Sequence, residues 1–142
     1  MSRPLVIANG LSLPTFAVFD GDCDRDDQER DNGCLLNLLG SEENPIQDIT
    51  LVGDRFVMWR TRILDETRTE VGAEQWDAAE SHARETYGLQ TGVRQKNPLL
   101  ISATLERLFE LDADFETLSR VVEAILQFAR ISTGEPVDEQ KA

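Results

Sequence analysis

The stretch Phe16-Ala17-Val18-Phe19-Asp20-Gly21-Asp22-Cys23-Asp24 decides how this chain is read. Thr15 to Phe19 is a compact apolar run rich in β-formers, bounded by Pro14 before it and Asp20-Gly21 after it. Such a run predicts a strand. It does not alternate polar and apolar residues, which fits a strand buried on both faces in a parallel sheet. The expected class is therefore α/β, a parallel sheet with flanking helices followed by a helical C-terminal part. In open α/β sheets, sites sit just beyond the carboxyl ends of the strands. In an extended chain, residues i and i+2 point to one side, so Asp20 and Asp22 are expected to converge. Two close carboxylates repel each other unless a cation lies between them. Mg²⁺ takes one or two carboxylates, several waters and substrate phosphate oxygens. The spacing thus points to a divalent metal and to phosphate chemistry.

Working outward, Asp20 to Asn32 holds seven acidic residues against Arg25 and Arg30, and reads as a solvated loop. Gly33 to Leu39 reads as a short helix closed by Gly40. Ser41 to Asp48 is a polar loop. ITLV and RFVMW, split by Gly53-Asp54 within Ile49–Trp59, predict a hairpin. Ile63 to Val71 predicts a helix ending at Gly72, and Ala73 to Tyr87 a second one stopped by Gly88. Pro98 opens another helix at its first turn. Asp112 or Asp114 caps the last, on which Leu118, Val121, Val122, Ile125, Phe128 and Ala129 form one stripe. Before the strand, residues 1–10 read as a lead-in ending at Gly10. The resulting division is an α/β core over 1–72, a helical portion of the same domain over 73–131, and a flexible tail over 132–142.

Composition narrows the function classes. The 142 residues make one ordinary domain. Val, Ile, Leu and Phe supply 39 of them, enough for a core. The net charge of −13 argues against a chain that grips DNA or an anionic membrane by itself. It is compatible with a metal site, where a bound cation inverts the local field. No apolar run is long enough to span a membrane. The N-terminus lacks the pattern of a secretory signal. Two cysteines make no disulfide framework, so a reducing cytoplasm is expected. Cys34 is expected to pack within its helix.

Three other readings of the acidic segment stay open. It could be merely solvated. It could be a calcium loop, since Asp20, Asp22 and Asp24 match the first EF-hand ligand positions. That loop, however, wants Gly and Glu where Arg25 and Asp31 stand. It could start a phosphatase with an aspartyl nucleophile, although Asp24 occupies the place where such a motif usually has Thr or Val. His82 reads as structural or exposed, and Trp59 and Trp76 as core or partly buried surface.

The run LSLPTFAVFDGDCDRD followed by NGCLLNLLG resembles the TOPRIM domain of OLD-family (overcoming lysogenization defect) ATP-dependent endonucleases. There a strand ends in Asp-x-Asp, an acidic loop follows, and a short Asn- and Leu-rich helix ends in Gly. Phe56–Trp59 leading to Leu64-Asp65-Glu66 is similar to the next strand and acidic motif. Arg94-Gln95-Lys96-Asn97-Pro98 is similar to the late lysine motif. The likeness spans roughly residues 8 to 130. It implies that Asp20 and Asp22 bind Mg²⁺ or Mn²⁺, with Glu66 a second-site ligand and Asp65 its substitute. It implies that Lys96 stabilises charge building on the phosphate, and that water activated by metal attacks the phosphodiester. Asp24 and Asp26 would be solvated or hold metal-bound water.

The chain departs from that pattern in two places. The family's opening strand, with its glutamate motif, is not found before the Asp-x-Asp strand. There is also no Walker A pattern of an ATPase domain. The chain is therefore expected to be the C-terminal part of a larger protein, or a truncated reading frame. Its metal site would be weak, or completed by another chain, and an ATPase domain or partner chain and a homo-oligomer are the partners to expect. An open sheet edge is expected beside the strand. DNA would be held through the larger assembly and only weakly by this chain. A role in phage defence or DNA repair is what the resemblance implies. A non-catalytic remnant acting as an interaction module, or an acidic divalent-cation-binding domain, is the alternative.

Overall fold

The computed structural model describes residues 2–25, 27–90 and 97–133. Their elements are α1 (Ser2–Gly10), β1 (Ala17–Asp20), α2 (Glu29–Leu39), β2 (Leu51–Val52), β3 (Phe56–Trp59), α3 (Ile63–Val71), α4 (Ala73–Thr86), α5 (Pro98–Glu110) and α6 (Glu116–Thr133). The chain is α/β, with a small sheet and most of its described residues in helices. It divides into two compact units. One comprises the residues up to Glu66 with those from Glu116 on, the other Thr67–Phe115. The units do not follow the sequence-based division at residue 72, because α6 groups with the sheet.

In the first unit the strand order is β1-β3-β2. β1 runs parallel to β3, in the register Ala17↔Phe56 to Asp20↔Trp59. β2 runs antiparallel to β3, closed by the Gly53 N–H donating to the Phe56 carbonyl at 2.9 Å. The hairpin is where its turn dipeptide put it. Its antiparallel partner makes the sheet mixed instead of wholly parallel. The expectation that β1 is buried on both faces is also corrected. Among the described residues β1 pairs only with β3, and Val18 is 45% exposed. The strand buried on both faces is β3, whose four residues are all in the core.

Strand alternation then sorts the core into two layers. Phe56 and Met58 of β3, with Phe19 of β1, pack against Leu5 of α1 and against Leu36 and Leu39 of α2. Val57 and Trp59 point the other way, onto Leu118 and Val121 of α6. Phe16 reaches the same helix, its ring centroid 5.5 Å from that of Phe128. The single stripe expected on α6 is narrower than predicted. Val121 is buried, whereas Val122, Ile125 and Ala129 are exposed.

The lead-in is a helix. Leu5 anchors it in the core, and Asn9 Nδ2 donates to the Leu38 carbonyl of α2 at 2.7 Å. Gly40 ends α2 in the left-handed conformation, the cap that a glycine there supplies without a Cβ clash. Cys34 is exposed on α2 and not packed.

The second unit is helical. Arg68 Nη2 donates to both carboxylate oxygens of Asp77 at 2.9 Å, joining the end of α3 to α4. Ala83 of α4 packs with Leu100 and Ala103 of α5. Asn97 caps α5 by accepting from the Leu99 and Leu100 amides, and Pro98 occupies its first turn. Among the described residues, no helix is long and apolar enough to cross a membrane.

Candidate functional site

Because β1 and β3 are parallel, their carboxyl ends leave the sheet at the same edge. The ladder continues past both strands. Gly21 N–H donates to the Trp59 carbonyl at 2.7 Å, and Cys23 N–H to the Arg60 carbonyl at 2.8 Å. Asp22 N–H donates more loosely to the Thr61 carbonyl at 3.3 Å. The segment Asp20–Cys23 is thus pinned alongside Trp59–Thr61.

Asp20 closes β1 and is solvent-exposed. Its Oδ1 accepts from the Ile63 N–H at 3.1 Å, so the carboxylate sits at the first turn of α3. Negative charge is favoured at that end of a helix. Asp22 leaves the extended conformation, at φ 45°. The strand-alternation argument for the convergence of Asp20 and Asp22 therefore does not apply. The turn through Gly21 sets their relative placement.

Gly21 is required by space. A Cβ there would lie 2.6 Å from the Trp59 carbonyl oxygen and 3.1 Å from Met58 Cγ.

Glu66 stands in the first turn of α3, its side chain 18% exposed. Its Oε1 accepts from Thr61 N–H at 2.5 Å and Thr61 Oγ1 at 3.0 Å, and its Oε2 from Thr50 Oγ1 at 2.6 Å. Arg60 Nε lies 3.6 Å from Oε1. A carboxylate offers about four lone-pair positions, so these bonds leave one, on Oε2. Glu66 thus ties the loop after β3 to Thr50 at the mouth of the hairpin. Asp65, its sequence neighbour, pairs with Arg62 at 2.8 Å on the exposed face of α3.

The acidic loop is partly balanced internally. Gln28 donates to Asp27 Oδ1 and Arg25 to Asp27 Oδ2, each at 3.2 Å. The Gln28 hydrogen bond and then the Arg25 charge hold the Asp27 carboxyl below its ordinary value. Lys96 and Asp26 lie outside the described residues, as does the tail from residue 134.

Asp20, Asp22 and Glu66 therefore all attach to one stretch of chain, the exit from β3. Among the described residues, no three His, Cys, Asp or Glu side chains gather to hold one ion. The donor chemistry fits Mg²⁺ or Mn²⁺ in the form of one or two carboxylates completed by water and phosphate. Arg60 and Arg62 place two guanidinium groups between β3 and α3, each facing a carboxylate, Glu66 and Asp65 respectively.

Sequence reasoning missed Asn32, Thr50 and Thr61, the residues that hold this corner together. The only signal for Asn32 is a polar residue in the first turn of a Leu-rich helix. No family model, no curated protein and no solved structure matches the chain.

Proposed function

We propose that this chain is a TOPRIM-type, metal-dependent nuclease domain of the OLD class that hydrolyses DNA phosphodiester bonds in the cytoplasm. One observation carries the reading. An Asp-Gly-Asp turn leaves a parallel strand pair at the edge where β3 runs into α3, and the Asp20 carboxylate meets that helix. Asp20 and Asp22 are the proposed ligands of Mg²⁺ or Mn²⁺. A divalent ion held there supplies charge that polarises a phosphate and lowers the pKa of water. Glu66 keeps the exit of β3 in place and retains one lone pair for a second ion. On the resemblance alone, Lys96 is the proposed cation for phosphate oxygens, a form of stabilisation that grows as charge builds in the transition state. DNA, held through a larger assembly with an ATPase domain or partner chain, is the proposed substrate.

Incubation with supercoiled plasmid tests this. Nicking is expected with Mn²⁺, none with EDTA, and a loss of about 100-fold or more in Asp20→Ala, since one missing transition-state contact costs that much in comparable sites. Nicking that survives EDTA or the substitution contradicts it.

A second reading, a non-catalytic module that associates through its sheet, draws on the edge of β1, which is unpaired among the described residues, and on the exposure of Val18. Absence of nicking together with concentration-dependent association would favour it.

A further inference from the structure

Asn32 is 2% exposed, in the first turn of α2. Its Nδ2 donates to the Gly21 carbonyl at 2.7 Å and to the Pro45 carbonyl at 2.9 Å. Both amide hydrogens therefore go to loop backbone, one in the Asp-Gly-Asp turn and one in the segment before β2. Cys23 Sγ also lies 4.0 Å from the Pro45 carbonyl oxygen, so that segment closes over the turn. The Gly21 carbonyl belongs to the peptide that joins Gly21 to Asp22. Holding it fixes the plane from which Asp22 departs at φ 45°, a left-handed conformation that side chains other than glycine's seldom adopt. Such a conformation persists only where its surroundings over-determine it. The ladder bonds of Gly21 and Cys23 grip the turn from β3, and Asn32 grips it from α2. That helix is itself anchored by Leu36 and Leu39 in the core.

We infer that Asn32 is the positioning residue of the Asp20–Asp22 turn, clamping the Gly21 carbonyl so that both carboxylates are presented to a divalent cation. Its functional part rests on the proposed role of Asp20 and Asp22. The clamp itself can be measured without any metal.

The test combines amide hydrogen exchange of the metal-free protein with Mn²⁺ calorimetry, on the wild type, Asn32→Asp and the milder Asn32→Ser. Asn37→Asp, on an exposed position of the same helix, controls for added charge. In Asn32→Asp the Gly21 and Cys23 amides are expected to exchange about tenfold faster, the value of one buried hydrogen bond. The amides of β3 and of the second half of α2 should keep wild-type protection. Asn32→Ser, with one short donor, should fall between. Mn²⁺ affinity should drop about tenfold in Asn32→Asp and stay unchanged in Asn37→Asp, since a misplaced turn costs the ion about what the amides lose. Unchanged exchange at Gly21 and Cys23 overturns the inference. So does acceleration spread evenly over the core in both Asn32 variants, which would assign the residue to the fold at large. If the wild type binds no Mn²⁺, the reading of Asp20 and Asp22 fails, while the exchange pattern still decides whether Asn32 clamps the turn.

Discussion

Gly21→Ala is expected to destabilise the protein by about 2 kcal/mol or more, the range for forcing a methyl group into filled space. For a chain of this size that is roughly 5–10 °C in melting temperature. The obstruction is backbone. The added carbon would meet the Trp59 carbonyl oxygen at 2.6 Å, and that oxygen already accepts the Gly21 N–H at 2.7 Å. No side-chain rotation relieves such a contact, so the turn must lift off the exit of β3. The same movement would shift Asp20 away from the Ile63 amide. Thermal denaturation checks the stability and calorimetry the cation. A variant that melts with the wild type would show that the turn is looser than its packing implies.

Glu66→Ala is the second large effect. It removes the acceptor of the Thr61 N–H and of two hydroxyls in a mostly enclosed position. Stranding donors there is expected to cost about 3 kcal/mol, read as a shift in the urea midpoint. Glu66→Gln should recover most of it. The amide oxygen can still accept from Thr61, and the amide nitrogen can donate to the Thr50 hydroxyl oxygen. If Ala and Gln destabilise equally, charge and not hydrogen bonding holds this corner. If neither destabilises, Glu66 is not the tie described above.

Local chemistry made much of the framework legible. Gly53-Asp54 marks the hairpin, Gly40 ends α2, Gly72 follows α3 and Pro98 opens α5, and each acts through its own backbone constraint. The faces were less legible. An apolar run such as Phe16–Phe19 reports that a strand wants burial, but not how many neighbours it has. β1 therefore reads as buried on both faces although among the described residues it has one neighbouring strand. The stripe on α6 failed in the same way, since periodicity does not say which side of a wide apolar arc is covered.

At the site, Asp20 stands where the motif put it, at the end of β1. The placement of Asp22 was not legible, because strand alternation stops at Gly21 and the left-handed residue follows. Glu66 could be marked from sequence but its partners could not. Thr50 is 16 residues away and Thr61 is on a loop with no pattern of its own. Asn32 binds carbonyls 11 and 13 residues distant, a relation that only the fold creates.

Asp20 and Asp22 are proposed to hold a divalent cation. This is tested most directly by titrating Mn²⁺ into the wild-type chain and into the double variant Asp20→Ala, Asp22→Ala, at physiological salt so that the diffuse charge of −13 is screened. The expected result is a saturable site in the wild type that the double variant lacks, the variant still unfolding cooperatively without metal and losing only the few degrees due to the missing Asp20–Ile63 hydrogen bond. Equal Mn²⁺ binding by the two proteins, or binding by neither, would contradict it.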